Sequence, residues 1–111
     1  MTEARFWERE GCRCMEVTGH AGFDQSGRDI VCAACSIIVQ ALAAALEAEP
    51  GVNASYGMDA GRFWLVCGAA GRSAARRDAM FTMAHTAFRM LEGTYPEHVH
   101  LIDDINQSMI K

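Results

Sequence analysis

The segment from Asp29 to Gly51 constrains the fold of this chain more than any other. Its apolar side chains recur at steps of three and four residues, which places them on one face of a helix. This stripe consists of Val31, Ala34, Cys35, Ile38, Ala41, Leu42 and Ala45. Asp29 is a preferred N-cap, because its carboxylate accepts hydrogen bonds from the free N–H groups of the first turn. Pro50-Gly51 ends the pattern, so the segment predicts one long helix that buries one face.

Short alternating segments on both sides of this helix predict paired strands. Residues 5–9 and 12–18 form one such pair, and residues 52–58 and 62–67 form another. Each pair is interrupted by glycine-containing turn residues, at 59–61 in the second pair, which is typical of hairpins. A strand pair exposes one apolar face, which the predicted helix can cover.

A second helix is predicted from residue 74 to residue 92, after a break at 68–73. Its expected buried stripe consists of Met80, Met83, Ala84, Ala87, Met90 and Leu91. Gly93 and Pro96 stop it, and residues 99–102 are the expected last strand. The order β-β-α-β-β-α-β predicts an α+β fold, a small sheet with two long helices packed on it. We expect residues 1–111 to form a single domain, since a chain of this length can bury its own core.

Composition narrows the classes of function. A formal net charge of -4 argues against a nucleic-acid binder, which normally shows a basic face. We expect no membrane span, because no apolar run approaches roughly 18 residues. The first ten residues carry three glutamates and no apolar core of a signal peptide, so we expect a cytoplasmic protein. An odd count of five cysteines then favours reduced thiols over a disulfide framework.

Two short motifs carry the candidate chemistry. His20 lies in a glycine-rich loop after a predicted strand, and Cys32 is the third helical residue if Asp29 is the N-cap. The free N–H groups and the positive end of the helix dipole stabilise a thiolate at that place. The loop contains enough glycine for the imidazole to reach the sulfur, which is the arrangement of an activated cysteine nucleophile. A cysteine in an amphipathic helix is nevertheless most often a packing residue.

Two other chemistries use the same residues. Cys32 and Cys35 form a CxxC at a helix start, as in thiol oxidoreductases, although no single strand leads straight into it. Cys12 and Cys14 lie on one face of a predicted strand and, with His20 and the CxxC, offer zinc ligands. Their spacing matches no standard zinc pattern, so we expect no metal and no cofactor.

The paired motifs resemble those of a known family. The sequence Gly-His-Ala-Gly at residues 19–22, followed by Asp-Ile-Val-Cys-Ala-Ala-x-Ser at residues 29–36, closely resembles the ribosomal-processing cysteine protease family, Prp. The likeness extends over nearly the whole chain, as far as the segment at residues 95–99. Either motif alone would be weak, but the pair at this spacing is specific. Cys35 is the one departure, where an apolar residue such as valine is expected.

The resemblance implies a small homodimeric α+β endopeptidase. Such enzymes remove a short N-terminal extension from the precursor of bacterial large-subunit ribosomal protein twenty-seven. The catalytic histidine of the family falls on His20 and its nucleophile on Cys32. Asp29 and Ser36 match the supporting motif positions.

We expect the loop from Gly22 to Gly27, which contains Phe23, to close over the substrate. Asp29 is expected to cap the helix rather than to orient His20. The expected oxyanion donors are the N–H groups of Cys32 and the nearby loop. Two rival functions remain open at this point: a non-catalytic ribosome-assembly factor that only binds a basic ribosomal protein, and a thiol-disulfide oxidoreductase.

Overall fold

A computed structural model of the chain describes residues 1–25 and 27–103. Its elements are β1 (Thr2–Arg9), β2 (Cys12–Thr18), α1 (Ile30–Ala48), β3 (Val52–Asp59), β4 (Arg62–Ala69), α2 (Arg72–Thr94) and β5 (Val99–Asp103). This order confirms the predicted β-β-α-β-β-α-β arrangement and the α+β class. The predicted break at residues 68–73 is too long, because β4 and α2 both extend into it.

The five strands form one sheet in the order β3-β4-β2-β1-β5. Neighbouring strands are antiparallel except β5, which runs parallel to β1. Met15 at the centre pairs with Phe6 on one side and Leu65 on the other. Directly opposed residues project from the same face of a sheet, and all three are buried. Both helices pack on this face, and the core lies between them and the sheet.

The buried face of α1 differs from the predicted stripe. Val31, Cys35 and Leu42 are buried as expected, whereas Ala41 and Ala45 are exposed. The positions that complete the buried face are Val39 and Leu46, together with Ala43. Alanines are small enough to suit either side of a helix, so the apolar pattern alone misplaced the face by about one residue.

The buried face of α2 is also corrected by the structure. Met83 and Met90 were expected in the core, but they are 75% and 67% exposed. The core contacts come from Phe81 and Phe88, and the Phe88 ring packs edge-on against Phe6 with centroids 6.1 Å apart. Two phenyl rings bury more apolar area than two methionines on the opposite side, which decides the rotation of the helix.

The length and composition of α1 bear on the expectation that no segment spans a membrane. An 18-residue window of this helix has a mean hydropathy of 2.1, so the helix is long and apolar enough to cross a membrane. These two properties are weak evidence, because the core helix of a soluble protein meets the same criterion. In this fold α1 packs its Val31, Val39 and Leu46 side chains into the core.

We predict that Phe88→Ala destabilises the protein by about 3–5 kcal/mol, because it leaves a cavity in a fully buried site. Met83→Ala is the matched control on the same helix and should change the free energy of unfolding by less than about 0.5 kcal/mol. Urea denaturation followed by circular dichroism measures both. An equal loss of stability in the two variants would contradict the orientation of α2.

Candidate active site

The loop between β2 and α1 brings the two predicted catalytic residues to one end of the sheet. Gly19 begins it at φ +85°, and a β-carbon there would collide with the carbonyl oxygen of Met1. Its N–H donates to the carbonyl of Gly61 in the β3–β4 turn at 2.8 Å. The His20 ring lies against this turn, since a β-carbon on Gly61 would be 3.2 Å from His20 Nε2. The hairpin turn therefore forms a wall beside the histidine.

Asp29 organises both the helix start and the loop. Its Oδ1 accepts hydrogen bonds from the amides of Val31 and Cys32 at 3.0 and 2.9 Å, which makes it the N-cap of α1. Its Oδ2 accepts from the amides of Phe23 and Asp24 at 2.9 and 3.3 Å. The pKa of Asp29 is lowered, chiefly by the Cys32 amide and further by the two loop amides. These backbone contacts match capping, the role expected for this carboxylate.

Cys32 lies at the third helical position, as expected, and is half-buried. Its Sγ accepts a hydrogen bond from the backbone N–H of Ala21 at 3.2 Å. The expectation that the Cys32 N–H serves as an oxyanion donor does not fit this conformation, because that amide is bonded to Asp29. The donor aimed at the sulfur comes instead from the loop.

His20 and Cys32 line two cavities together. The larger, about 500 Å³, is also lined by Gly22, Gly27 and Ser36. The smaller, about 140 Å³, has an apolar wall to which Val17, Met58 and Phe63 contribute. Within the described residues, no hydrogen bond joins the imidazole to the thiol, so the two groups share a site without being paired. Catalytic hydrogen bonds often tighten only in the substrate complex.

The residues of the second hairpin that line the smaller cavity were not predicted. Met58, Asp59 and Arg62 line the smaller cavity from the second hairpin. They lie more than twenty-five residues from Cys32 in the sequence, and nothing in their local pattern marks them. The antiparallel pairing of β2 with β4 brings them to the end of β2 where His20 follows.

The two remaining cysteine chemistries fit the structure poorly. Cys35 is 6% exposed within the core, and burial is the main cause that raises its pKa to about 11. A protonated, inaccessible thiol is a poor partner for Cys32 in a redox pair. Cys12 and His20 lie at opposite ends of β2. Among the described residues, no three His, Cys, Asp or Glu side chains are grouped to hold a metal ion.

Ser36 follows Cys32 by one helical turn and lines both cavities. Its side chain is exposed, and no hydrogen bond of its hydroxyl is present among residues 1–25 and 27–103. The serine is therefore beside the site, but the structure gives its side chain no partner that would define a role.

The glycine-rich loop is held by an aromatic cluster. Gly22 and Gly27 adopt φ +68° and +86°, which favours glycine at both positions. The Phe23 ring, 42% exposed, meets Tyr95 and His98 edge-on, with centroids 5.3 Å apart in both pairs. The segment at residues 95–99 carried part of the sequence resemblance, but no role was predicted for its residues.

An α+β fold that presents a cysteine at a helix start beside a histidine contains the groups that a cysteine-type hydrolase requires. The sequence model for the family "Cysteine protease Prp" matches residues 1–100, and the chain belongs to this family. The chain is accordingly a protease of the cysteine type, a hydrolase. A search of curated proteins gave no match.

Solved structures share the fold. The chain is similar to an essential ribosomal processing protease Prp from S. aureus in complex with a covalently linked product peptide, with a TM-score of 0.81, 18% identity and coverage of 94% of this chain and 100% of the other. The same protease with a substrate peptide gives 0.74 and 17%, with the same coverage. SMU.848 from Streptococcus mutans gives 0.71 and 29%, covering 94% of this chain and 96% of that one.

We predict that Asp29→Asn loses more stability at neutral pH than in acid. A lowered pKa in the folded state stabilises the fold above the ordinary Asp value of about 3.9, and this contribution disappears as the pH falls through the folded-state pKa. Urea unfolding at pH 7 and at pH 3 measures the difference from wild type. Glu97→Gln, an exposed carboxylate, is the control. A loss that is equal at both pH values would show that the charge of Asp29 plays no part.

Proposed function

We propose that this chain is an endopeptidase in which Cys32 is the nucleophile and His20 is its base. The observation that carries the proposal is the Ala21 N–H, 3.2 Å from Cys32 Sγ, at the N-terminus of α1 and beside a cavity shared with His20. A backbone donor and the N-terminal end of a helix converge on this sulfur, and both stabilise negative charge that develops on it during attack. An inert structural cysteine requires neither.

The proposed reaction has two stages. His20 takes the thiol proton, and the Cys32 sulfur attacks the carbonyl carbon of the scissile peptide bond. The C–N bond then breaks as the protonated His20 gives its proton to the leaving amine, which leaves a thioester. Water hydrolyses the thioester and restores the thiol. The Ala21 N–H, which donates to Cys32 Sγ at 3.2 Å before the reaction, would shift this hydrogen bond to the carbonyl oxygen of the substrate, on which the oxyanion forms.

The proposed substrate is the precursor of large-subunit ribosomal protein twenty-seven, whose N-terminal extension is removed. Membership of the Prp family supports this substrate. The apolar wall formed by Val17, Met58 and Phe63 suits a bulky apolar side chain of an extended peptide. Burial of such a side chain contributes roughly 1.5–3 kcal/mol. The net charge of -4 favours a basic partner. A cytoplasmic location, where ribosomes assemble, belongs to the same proposal.

We predict that Cys32→Ala and His20→Ala each abolish cleavage of a synthetic peptide that spans the extension boundary. Mass spectrometry identifies the products. Cys35→Val is the matched control: it changes a neighbouring thiol of similar volume within the core, so activity should persist. Circular dichroism verifies that all variants are folded.

Three results would overturn this proposal. Turnover at the wild-type rate by folded Cys32→Ala would exclude Cys32 as the nucleophile. A folded but inactive Cys35→Val would support the thiol-disulfide oxidoreductase. Binding of the peptide by wild-type protein without any cleavage would favour the non-catalytic assembly factor.

We also predict a homodimer, on the basis of the family resemblance, with twofold symmetry as the commonest arrangement. Sedimentation velocity at micromolar protein concentration should give a mass of two chains. A single species with the mass of one chain, 12.1 kDa, would contradict this prediction.

A further inference from the structure

His98 connects the end of α2 to the active-site loop. Its Nδ1 lies 2.9 Å from the carbonyl oxygen of Ala21, which is 2% exposed. A carbonyl oxygen only accepts hydrogen bonds, so Nδ1 must carry the proton and act as the donor. The N–H of the same Ala21 donates to Cys32 Sγ. His98 is thus one residue removed from the reacting sulfur, although 66 positions separate it from Cys32 in the sequence.

The backbone of His98 is itself held by the fold. Its carbonyl accepts a hydrogen bond from the N–H of Thr2 at 2.9 Å, and its N–H donates to the carbonyl of Tyr95 at 2.9 Å. These contacts join it to the start of β1 and to the end of α2. Ala21 and Phe23 of the loop therefore contact His98, a residue whose backbone is bonded outside the loop.

The His98 side chain makes a hydrogen bond to Ala21 and a ring contact with Phe23, and these two contacts affect the loop differently. The hydrogen bond to Ala21 restricts rotation of the backbone on the carbonyl side of that residue, and so helps to fix the direction of its N–H. The ring contact with Phe23 packs the loop, whose Phe23 amide is also bonded to Asp29. Only the hydrogen bond acts on the residue that contacts the sulfur.

We propose that His98 is a positioning residue of the active site, which holds Ala21 so that its N–H points at Cys32 Sγ. This inference rests on the proposed role of Cys32 as the nucleophile. His98 touches neither the sulfur nor the cavities shared by His20 and Cys32; it acts through Ala21. Its contribution is to keep the Ala21 N–H in place for the negative charge that develops on Cys32 Sγ as the thiol proton leaves, because a hydrogen bond to a charged group is stronger than one to a neutral group.

Two substitutions separate the hydrogen bond from the packing. His98→Asn keeps a donor near the position of Nδ1 but removes the ring. His98→Phe keeps a ring against Phe23 but removes the donor. His100→Phe is the matched control, because His100 lies two residues further along, exposed on β5, and its Nδ1 pairs with Glu92 instead of with the loop.

The test measures the rate at which iodoacetamide alkylates Cys32 in the full-length protein at pH 7, followed by mass spectrometry. We expect His98→Phe to slow this rate about threefold to tenfold, since the lost stabilisation of the anion is partly offset by its greater nucleophilicity. His98→Asn and His100→Phe should stay within about twofold of wild type. In peptide cleavage, His98→Phe should lower kcat and leave KM nearly unchanged.

The proposal is overturned if His98→Phe is alkylated at the wild-type rate, or if His98→Asn is as slow as His98→Phe, which would assign the effect to the ring. If circular dichroism shows that His98→Phe does not fold, His98→Ala takes its place as the donor-free variant with the same expectation. Alkylation needs no peptide substrate. If the variants show the expected alkylation rates but the wild-type protein cleaves no peptide, the positioning role of His98 is supported and the proposed function is not.

Discussion

The candidate active site depends on one carboxylate, that of Asp29. Asp29 accepts four backbone hydrogen bonds, two from the first turn of α1 and two from the loop that precedes it. The same side chain thus begins the helix on which Cys32 lies and fixes the loop that carries Ala21 to the sulfur. Because the carboxylate bonds both segments at once, a change in the cap is also a change in the site.

The site combines segments that differ in rigidity. Cys32 lies on a helix, and Gly61 lies in a hairpin turn of the sheet, so both have fixed positions. His20 and Ala21 lie on the loop between β2 and α1, and Gly19 and Gly27 near the two ends of this loop have positive φ. External contacts hold this loop: Gly61 at its start, Asp29 in its middle and His98 at Ala21. A loop held from outside can place an N–H against a sulfur without secondary structure of its own.

Cys32 and Cys35 lie about one turn apart on α1, but their surroundings differ. Cys32 lies in the first turn of α1, half-buried, beside a donor and two cavities. Cys35 points into the core, and desolvation raises its pKa. The CxxC pattern is compatible with redox chemistry in sequence, but the packing of α1 on the sheet assigns opposite environments to its two thiols. The packing of α2 on the sheet likewise leaves Met83 and Met90 outside, although the periodicity of α2 included them.

The sequence by itself determined the order of elements, the α+β class, the cap at Asp29 and the place of Cys32 in the first turn of α1, because turns, caps and periodicity are local properties of the chain. Only the tertiary structure decided which face of each helix is buried, since that depends on how rings such as Phe88 fill the space above the sheet. Tertiary structure also brought Met58, Gly61 and His98 to the site. Their contacts join positions dozens of residues apart, and no local pattern encodes such contacts.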